Sequence, residues 1–167
     1  MSTQKQTEEE KNINIVRRSF EALNTGDITK ASEFIHPNSF NHESQASPER
    51  AKLRGHEEFV DTVKVLRAAF SDLHYEEQES IASNDKVVSI VIVTGKHTAD
   101  FFGIPPKGNN FSYQAAHISR IAEDKIVEHK AIRDDLRFMM QLGVIGAASP
   151  QYEPIINAWK GMMNKRT

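Results

Sequence analysis

The segment Ile126 to Gly143, IVEHKAIRDDLRFMMQLG, changes periodicity in its middle and so limits what this chain can fold into. From Ile126 to Asp134 apolar and polar residues alternate, with β-branched content, which is a strand pattern. From Asp135 onward Leu136, Met139, Met140 and Gly143 fall at helical spacing. The chain passes straight from strand to helix, and two adjacent carboxylates stand at the junction. This pattern assigns Asp135 to capping the helix. It leaves Asp134, at the strand end, as the carboxylate available for chemistry.

The rest of the chain supplies partners for that junction. A helix is predicted over Glu8 to Leu23, with Ile13, Val16, Phe20 and Leu23 as its apolar stripe and Asn24 to Asp27 as its stop. Asp27 is placed to cap a shorter helix containing Ala31, Phe34 and Ile35, which His36-Pro37 ends. Phe40 to Glu43 reads as a short strand and Gly55 to Phe70 as a third helix, broken by Ser71-Asp72. Strands are predicted over Leu73 to Ile81, Val87 to Thr98, Asn110 to Ile121 and Ile126 to Asp134. The proline-rich stretch Ile104 to Gly108 forms a loop between them. Helices first and an antiparallel meander second give an α+β fold. The main domain spans 8–146, and an amphipathic tail, 147–167, carries Ile155, Ile156, Trp159 and Met162 behind Pro150 and Pro154.

Composition excludes several classes. A net charge of −2 gives no basic footprint for nucleic acid. With no cysteine there is no disulfide framework and no thiolate metal site. The N-terminus lacks the apolar run of a signal peptide, and Val87 to Val93 is far too short to span a membrane. The expectation is a soluble, cytoplasmic protein.

The last hairpin can be read in register. If Glu123-Asp124 is a two-residue turn, Ala122 faces Lys125 and Ile121 faces Ile126. Continued regularly, His117 lies opposite Lys130 and Tyr113 opposite Asp134. One face then carries Tyr113, Ala115, His117, Ser119, Glu128, Lys130, Ile132 and Asp134. The other carries His129, Ala131 and Arg133. A face mixing Tyr, His, Lys and Asp with Ala and Ile suits a pocket with few polar groups; a slip of one residue would exchange the faces. Seven histidines raise the question of a metal site. They form no HxH or HExxH arrangement, and His117 and His129 fall on opposite faces, so no metal is expected.

Several motifs together resemble the SnoaL-like polyketide cyclases. They are the N-terminal helix, Phe70-Ser71-Asp72-Leu73, Gly95-Lys96-His97 through Gly103 to Gly108, Asp124 to His129, Asp134, and Gln141-Leu142-Gly143. The resemblance covers roughly Asn12 to Ile145. It implies a cone-shaped α+β barrel of the nuclear-transport-factor-2 type, with N-terminal helices packed on a curved, mainly antiparallel sheet, and a homodimer or homotetramer. It also implies ring closure in an aromatic polyketide methyl ester by intramolecular aldol condensation, without metal or organic cofactor.

The family's acid/base is an aspartate four residues after a tryptophan. The matching positions are Asp134 and Lys130, so this chain departs from the family in the pocket wall. A carboxyl in an apolar pocket has its pKa raised by desolvation and moves toward the working pH. Beside Asp134, His117 is a candidate to shuttle a proton and Tyr113 to donate to the developing oxyanion. Lys130 is placed to steer an anionic group, and His42 and Asn41 to reach the cavity from the early strand. Each has a structural alternative: a cap or ion pair for Asp134, a satisfied core side chain for His117 and Tyr113. The expected ligand is a small hydrophobic carbonyl compound. A non-catalytic binding protein of the same fold, or an isomerase or hydrolase, are the competing readings, because one fold hosts many functions.

Overall fold

Helix α1 (Glu8–Thr25) starts where the sequence closes a capping box. Thr7 Oγ1 accepts from Glu10 N at 3.1 Å, and the Glu10 carboxylate accepts from Thr7 N at 3.0 Å. Glu8, Glu9 and Glu10 fill the first turn, where the helix dipole favours negative charge. Gly26, at φ 79°, ends it. These features belong to a computed structural model, which describes residues 7–146 and Asn157. The tail predicted over 147–167 lies outside the described residues apart from Asn157, as do residues 1–6.

After α2 (Ala31–Phe34) the chain enters β1 (Ile35–Asn41). This strand begins earlier than the predicted Phe40. Pro37 fits because β1 is an edge strand, where a missing N–H leaves no ladder bond unmade. Two short 3-10 turns lead to α3 (Gly55–Ala69), then β2 (Phe70–Ser83), β3 (Lys86–His97), β4 (Asn110–Ala122), β5 (Lys125–Arg133) and α4 (Asp135–Gln141). The predicted break at Ser71-Asp72 is a register shift inside β2, with Asp72 at φ 53°.

The sheet order is β1-β5-β4-β3-β2. Strands β2 to β5 form the expected antiparallel meander, and β1 adds to it in parallel against β5. The sheet is thus mixed and is not closed on itself. The alternation in β3 and β4 buries Val87, Ser89, Val91 and Val93 with Phe111, Tyr113, Ala115, His117, Ser119 and Ile121. Helix α1 lays Val16, Phe20 and Leu23 on that face, and α3 adds Val63. A buried side chain of this kind contributes about 1.5–3 kcal/mol. Phe70, Phe111 and Phe138 pack ring against ring where α4 meets the sheet, centroids 4.9–5.8 Å apart. The result is the α+β cone. Among the described residues no helix is long and apolar enough to cross a membrane.

Candidate functional site

The hairpin that builds the site starts as its turn chemistry dictates. Glu123 and Asp124 both take positive φ, 53° and 56°, and Ala122 pairs with Lys125 and Ile121 with Ile126. The next pair is Arg120 with Glu128. Val127 is therefore an extra residue on β5, a bulge. From there the regular register no longer holds. His117 faces Ala131, Ile118 faces Lys130 and Ala115 faces Arg133.

The bulge corrects the predicted face. His129, Ala131 and Arg133 join Tyr113, Ala115, His117 and Ser119, while Lys130 and Ile132 turn to the opposite side. The physical reason is visible in the composition of β5. A regular strand starting from buried Ile126 would carry Glu128, Lys130 and Asp134 onto the buried face, three charges to be desolvated there. One extra residue substitutes an imidazole, a methyl group and a paired guanidinium.

This face, with α1, α3 and the turns after β1, encloses a cavity of about 660 Å³. Phe20, Leu23, Phe59, Leu66, Phe101, Phe138 and Met139 supply its apolar wall. Its polar groups include Asn41, Glu43, Arg50, Glu58, Tyr75, Tyr113, His117, His129, Arg133 and Asp135, with the hydroxyls of Ser19, Ser39, Ser47, Thr62 and Ser119. A volume of this size matches small-molecule sites.

His117 and His129, expected on opposite faces, are hydrogen-bonded to each other. His117 Nδ1 lies 2.9 Å from His129 Nε2. His129 Nδ1 lies 2.9 Å from Asn41 Oδ1, and Asn41 Nδ2 donates to Glu58 Oε1 at 2.9 Å. Glu58 is buried in α3, where Thr62 Oγ1 donates to it at 2.8 Å and Arg50 approaches at 3.4 Å. The His117 ring sits edge-on to Phe20 at 5.4 Å and to Tyr75 at 5.9 Å. Its Nε2 is buried and has no hydrogen-bond partner among the described residues.

Burial controls the protonation of this group. Desolvation holds His117 well below the usual imidazole pKa, and His129 and Arg133 push it the same way. His129 is lowered to about 4, again mainly by burial, with Arg133 and His42 adding to the effect. Both imidazoles are therefore neutral at pH 7. Tyr113 is pushed up to about 12 by burial, against the pull of Arg133, so its phenol stays protonated.

The two carboxylates at the strand–helix junction hold exchanged positions. Asp134 is the cap: its Oδ1 accepts from Arg137 N at 3.1 Å, and it is exposed and absent from the cavity wall. Asp135 lines the cavity and accepts from Arg133 Nε at 3.0 Å. Arg133 also pairs with Glu43 at 2.9 Å. The sequence pattern puts the helix start at Asp135, but the cap is the residue before the first helical one. Lys130 is exposed and faces away from the cavity. His42 lies outside the lining and bonds Glu128 at 2.9 Å. Asn41 and Tyr113 are in the cavity wall.

Glu43, Arg50, Glu58, His129, Arg133 and Asp135 are cavity residues that the sequence pattern does not pick out. The one available signal was the adjacent apolar pair Ile126-Val127, which breaks strict alternation where the bulge lies. Among the described residues no group of three or more His, Asp or Glu side chains is arranged to hold a metal ion.

Comparison with known proteins identifies the family. The family model of the SnoaL-like polyketide cyclases matches residues 13–142. Aklanonic acid methyl ester cyclase DnrD from Streptomyces peucetius is 36% identical over 132 residues, covering 78% of this chain and 90% of that protein. Nogalonic acid methyl ester cyclase from Streptomyces nogalater is 31% identical over 123 residues, covering 73% and 90%. Among solved structures, IdmH from Streptomyces antibioticus superposes with a TM-score of 0.68 at 27% identity, over 79% of this chain and 98% of that one. TsrD from Streptomyces laurentii shares the fold, with a TM-score of 0.74 at 22% identity over 84% and 100%. By model match, sequence and fold, the chain belongs to the SnoaL-like polyketide cyclase family.

Proposed function

We propose that this protein closes a ring in a polyketide-like methyl ester by intramolecular aldol addition, using its own side chains and no cofactor. The observation that carries the reading is His117, a buried neutral imidazole in the wall of a largely apolar cavity, with one nitrogen that has no partner among the described residues. The relatives named as methyl ester cyclases support the substrate class.

The chemistry balances with one proton. The C–H bond between two carbonyls breaks, and its proton goes to an imidazole nitrogen of His117. The resulting enolate carbon attacks the acceptor carbonyl, forming the new C–C bond. The alkoxide then takes the proton back, and the imidazole is neutral again. Tyr113, protonated across the working pH range, is the donor suited to the alkoxide oxygen. An acid/base group of this kind contributes about 10²–10⁴-fold.

The family likeness assigns the proton transfer to Asp134. Because the Asp134 carboxylate caps α4 outside the cavity wall, we assign it to His117 and treat the aspartate as the comparison. The test is turnover of aklanonic acid methyl ester, followed by loss of the open-chain compound. His117→Gln lowers kcat by about 100-fold or more. Asp134→Asn keeps a good cap, so a loss as large as that in His117→Gln would move the acid/base back to the aspartate. Tight binding without turnover by the unaltered protein would make it a carrier instead.

The same proposal includes a cytoplasmic homo-oligomer. Its support is the outer face of the sheet, where Ile132, 68% exposed, continues a row through Ala116 and Ile90 on the neighbouring strands. An exposed apolar stripe of this kind suits a second copy of the chain.

A further inference from the structure

The hydrogen-bond network fixes more than the positions of the two histidines: it fixes which nitrogen of each carries its proton. The argument starts from a group that can only donate. The backbone N–H of Glu43 points at Asn41 Oδ1 at 3.1 Å, so the atom it meets must be the amide oxygen. The amide NH₂ then faces Glu58 Oε1, as its distance of 2.9 Å requires. Asn41 therefore offers His129 an acceptor and nothing else.

From this anchor each ring follows in turn. His129 Nδ1, 2.9 Å from that oxygen, must carry a hydrogen. A neutral imidazole has only one, so His129 Nε2 is a bare lone pair. His117 Nδ1 lies 2.9 Å from that lone pair and must donate to it. His117 Nε2 is then bare as well: it is shielded from solvent, and among the described residues it has no hydrogen-bond partner.

We propose that Asn41 is a positioning residue for the ring-closing reaction: it sets the tautomers of His129 and His117 in series, so that His117 Nε2 is held as the free base. The inference rests on the cyclase reading for its reaction but on the network alone for its tautomers. When Nε2 takes the substrate proton, the positive charge forms on His117 beside His129. The Nδ1–H···Nε2 bond lets that charge be shared with the second ring, whose own N–H points at the Asn41 oxygen. Glu58, held by Thr62 and Arg50, keeps the amide from turning over. The same hydrogen bonds that make His117 a base also forbid the opposite tautomer, in which Nε2 would carry hydrogen and could not accept the substrate proton.

The groups around the pair set the sign of any pH effect. Arg133 on β5 and His42 at the end of β1 oppose protonation. Glu43 and Asp135 are paired to Arg133, Glu58 stands behind Asn41, and Tyr75, Tyr113 and Phe20 complete the surroundings as neutral rings. A carboxylate placed at position 41 would favour the imidazolium.

Two measurements test this. In the unaltered protein, ¹⁵N–¹H correlation of the imidazole rings at pH 7 shows hydrogen on Nδ1 and a bare Nε2 for both His117 and His129. Hydrogen on His117 Nε2 overturns the proposal. This readout needs no substrate, so a protein that turns nothing over refutes the cyclase reading while the tautomer assignment is still judged.

The second measurement compares Asn41→Leu with Asn41→Asp. Asn41→Leu removes the acceptor, mixes the tautomers in the spectrum and lowers kcat by about tenfold or more; in the Ser-His-Asp triad a mis-set tautomer costs about 10⁴-fold. Asn41→Asp, made together with Glu58→Gln so that an amide rather than a second carboxylate faces the new side chain, keeps the acceptor, restores the single tautomer, and moves the acid limb of the kcat/KM profile to higher pH. A merely structural role predicts neither the restored tautomer nor the displaced limb, and an unmoved limb with a restored fold overturns the proposal. Should Asn41→Leu not fold, the spectrum of the unaltered protein and the Asn41→Asp profile still decide.

Discussion

At the scale of single residues, the two buried imidazoles carry a cost that acid reveals. His129 titrates near 4 in the folded chain and near 6.5 once unfolded, and His117 is lowered in the same direction. Between these values the unfolded chain binds more protons, so stability is full above about pH 6.5 and is lost as pH falls toward 4. For His129 alone the loss from pH 7 to pH 5 is about 2 kcal/mol, or about 5 °C in melting temperature. Thermal melts of the unaltered protein and of His129→Gln over this range check it: the variant's dependence on pH is the flatter. Equal slopes would mean that the histidine is not held neutral. Lys130 makes the opposite point. Being exposed on the far face, Lys130→Ala is expected to change stability by no more than about 0.5 kcal/mol and to leave turnover within about twofold. A larger effect on turnover would put Lys130 back at the site, where the regular register had placed it.

At the scale of elements, much of the architecture was legible because it follows from local rules. The Glu123-Asp124 turn, the capping of α1 and the alternation of β3 and β4 are decided by residues within a few positions of each other. What was not legible depends on partners distant in sequence. The pairing of β1 with β5 is one case, and the bulge at Val127 is another, since it answers to which side chains the cavity tolerates. The cap shows the limit most plainly: Asp134 and Asp135 are the same residue type, and only the turn of the backbone decides which bonds Arg137 N. The contact between α3 and β1 gives a prediction at this scale. Gly55 begins α3 at φ 60°, and a Cβ there would lie 2.0 Å from the Pro37 carbonyl oxygen. Backbone meets backbone, and neither can give way by rotating a side chain. Gly55→Ala is therefore expected to cost more than about 2 kcal/mol, measured by denaturant unfolding. A stability within about 0.5 kcal/mol of the parent would show that α3 does not press on β1 in this way.

At the scale of the whole molecule, the sheet has one face committed to the cavity and one that remains partly apolar in the isolated chain. Ile81, 59% exposed, extends a second row through Val88 and Ile118 to Lys130. If copies of the chain associate through this face, Ile132→Glu places a charge in the contact and lowers the mass measured by light scattering to that of a monomer, with the fold intact. An unchanged mass would send the search for the contact elsewhere. The cavity itself was legible only as a mixed face of tyrosine, histidine and small residues; its second histidine and its buried carboxylates came with the bulge. That has a consequence for how such proteins diversify. Since one unpaired residue decides which half of β5 lines the cavity, a substitution that drew Val127 into the ladder opposite Arg120 would exchange His129, Ala131 and Arg133 for Glu128, Lys130 and Ile132 in one step, whereas deleting Val127 would only straighten the strand. A chain of this kind can thus change its ligand by shifting the frame of a strand, a route that comparing residue types position by position would not detect.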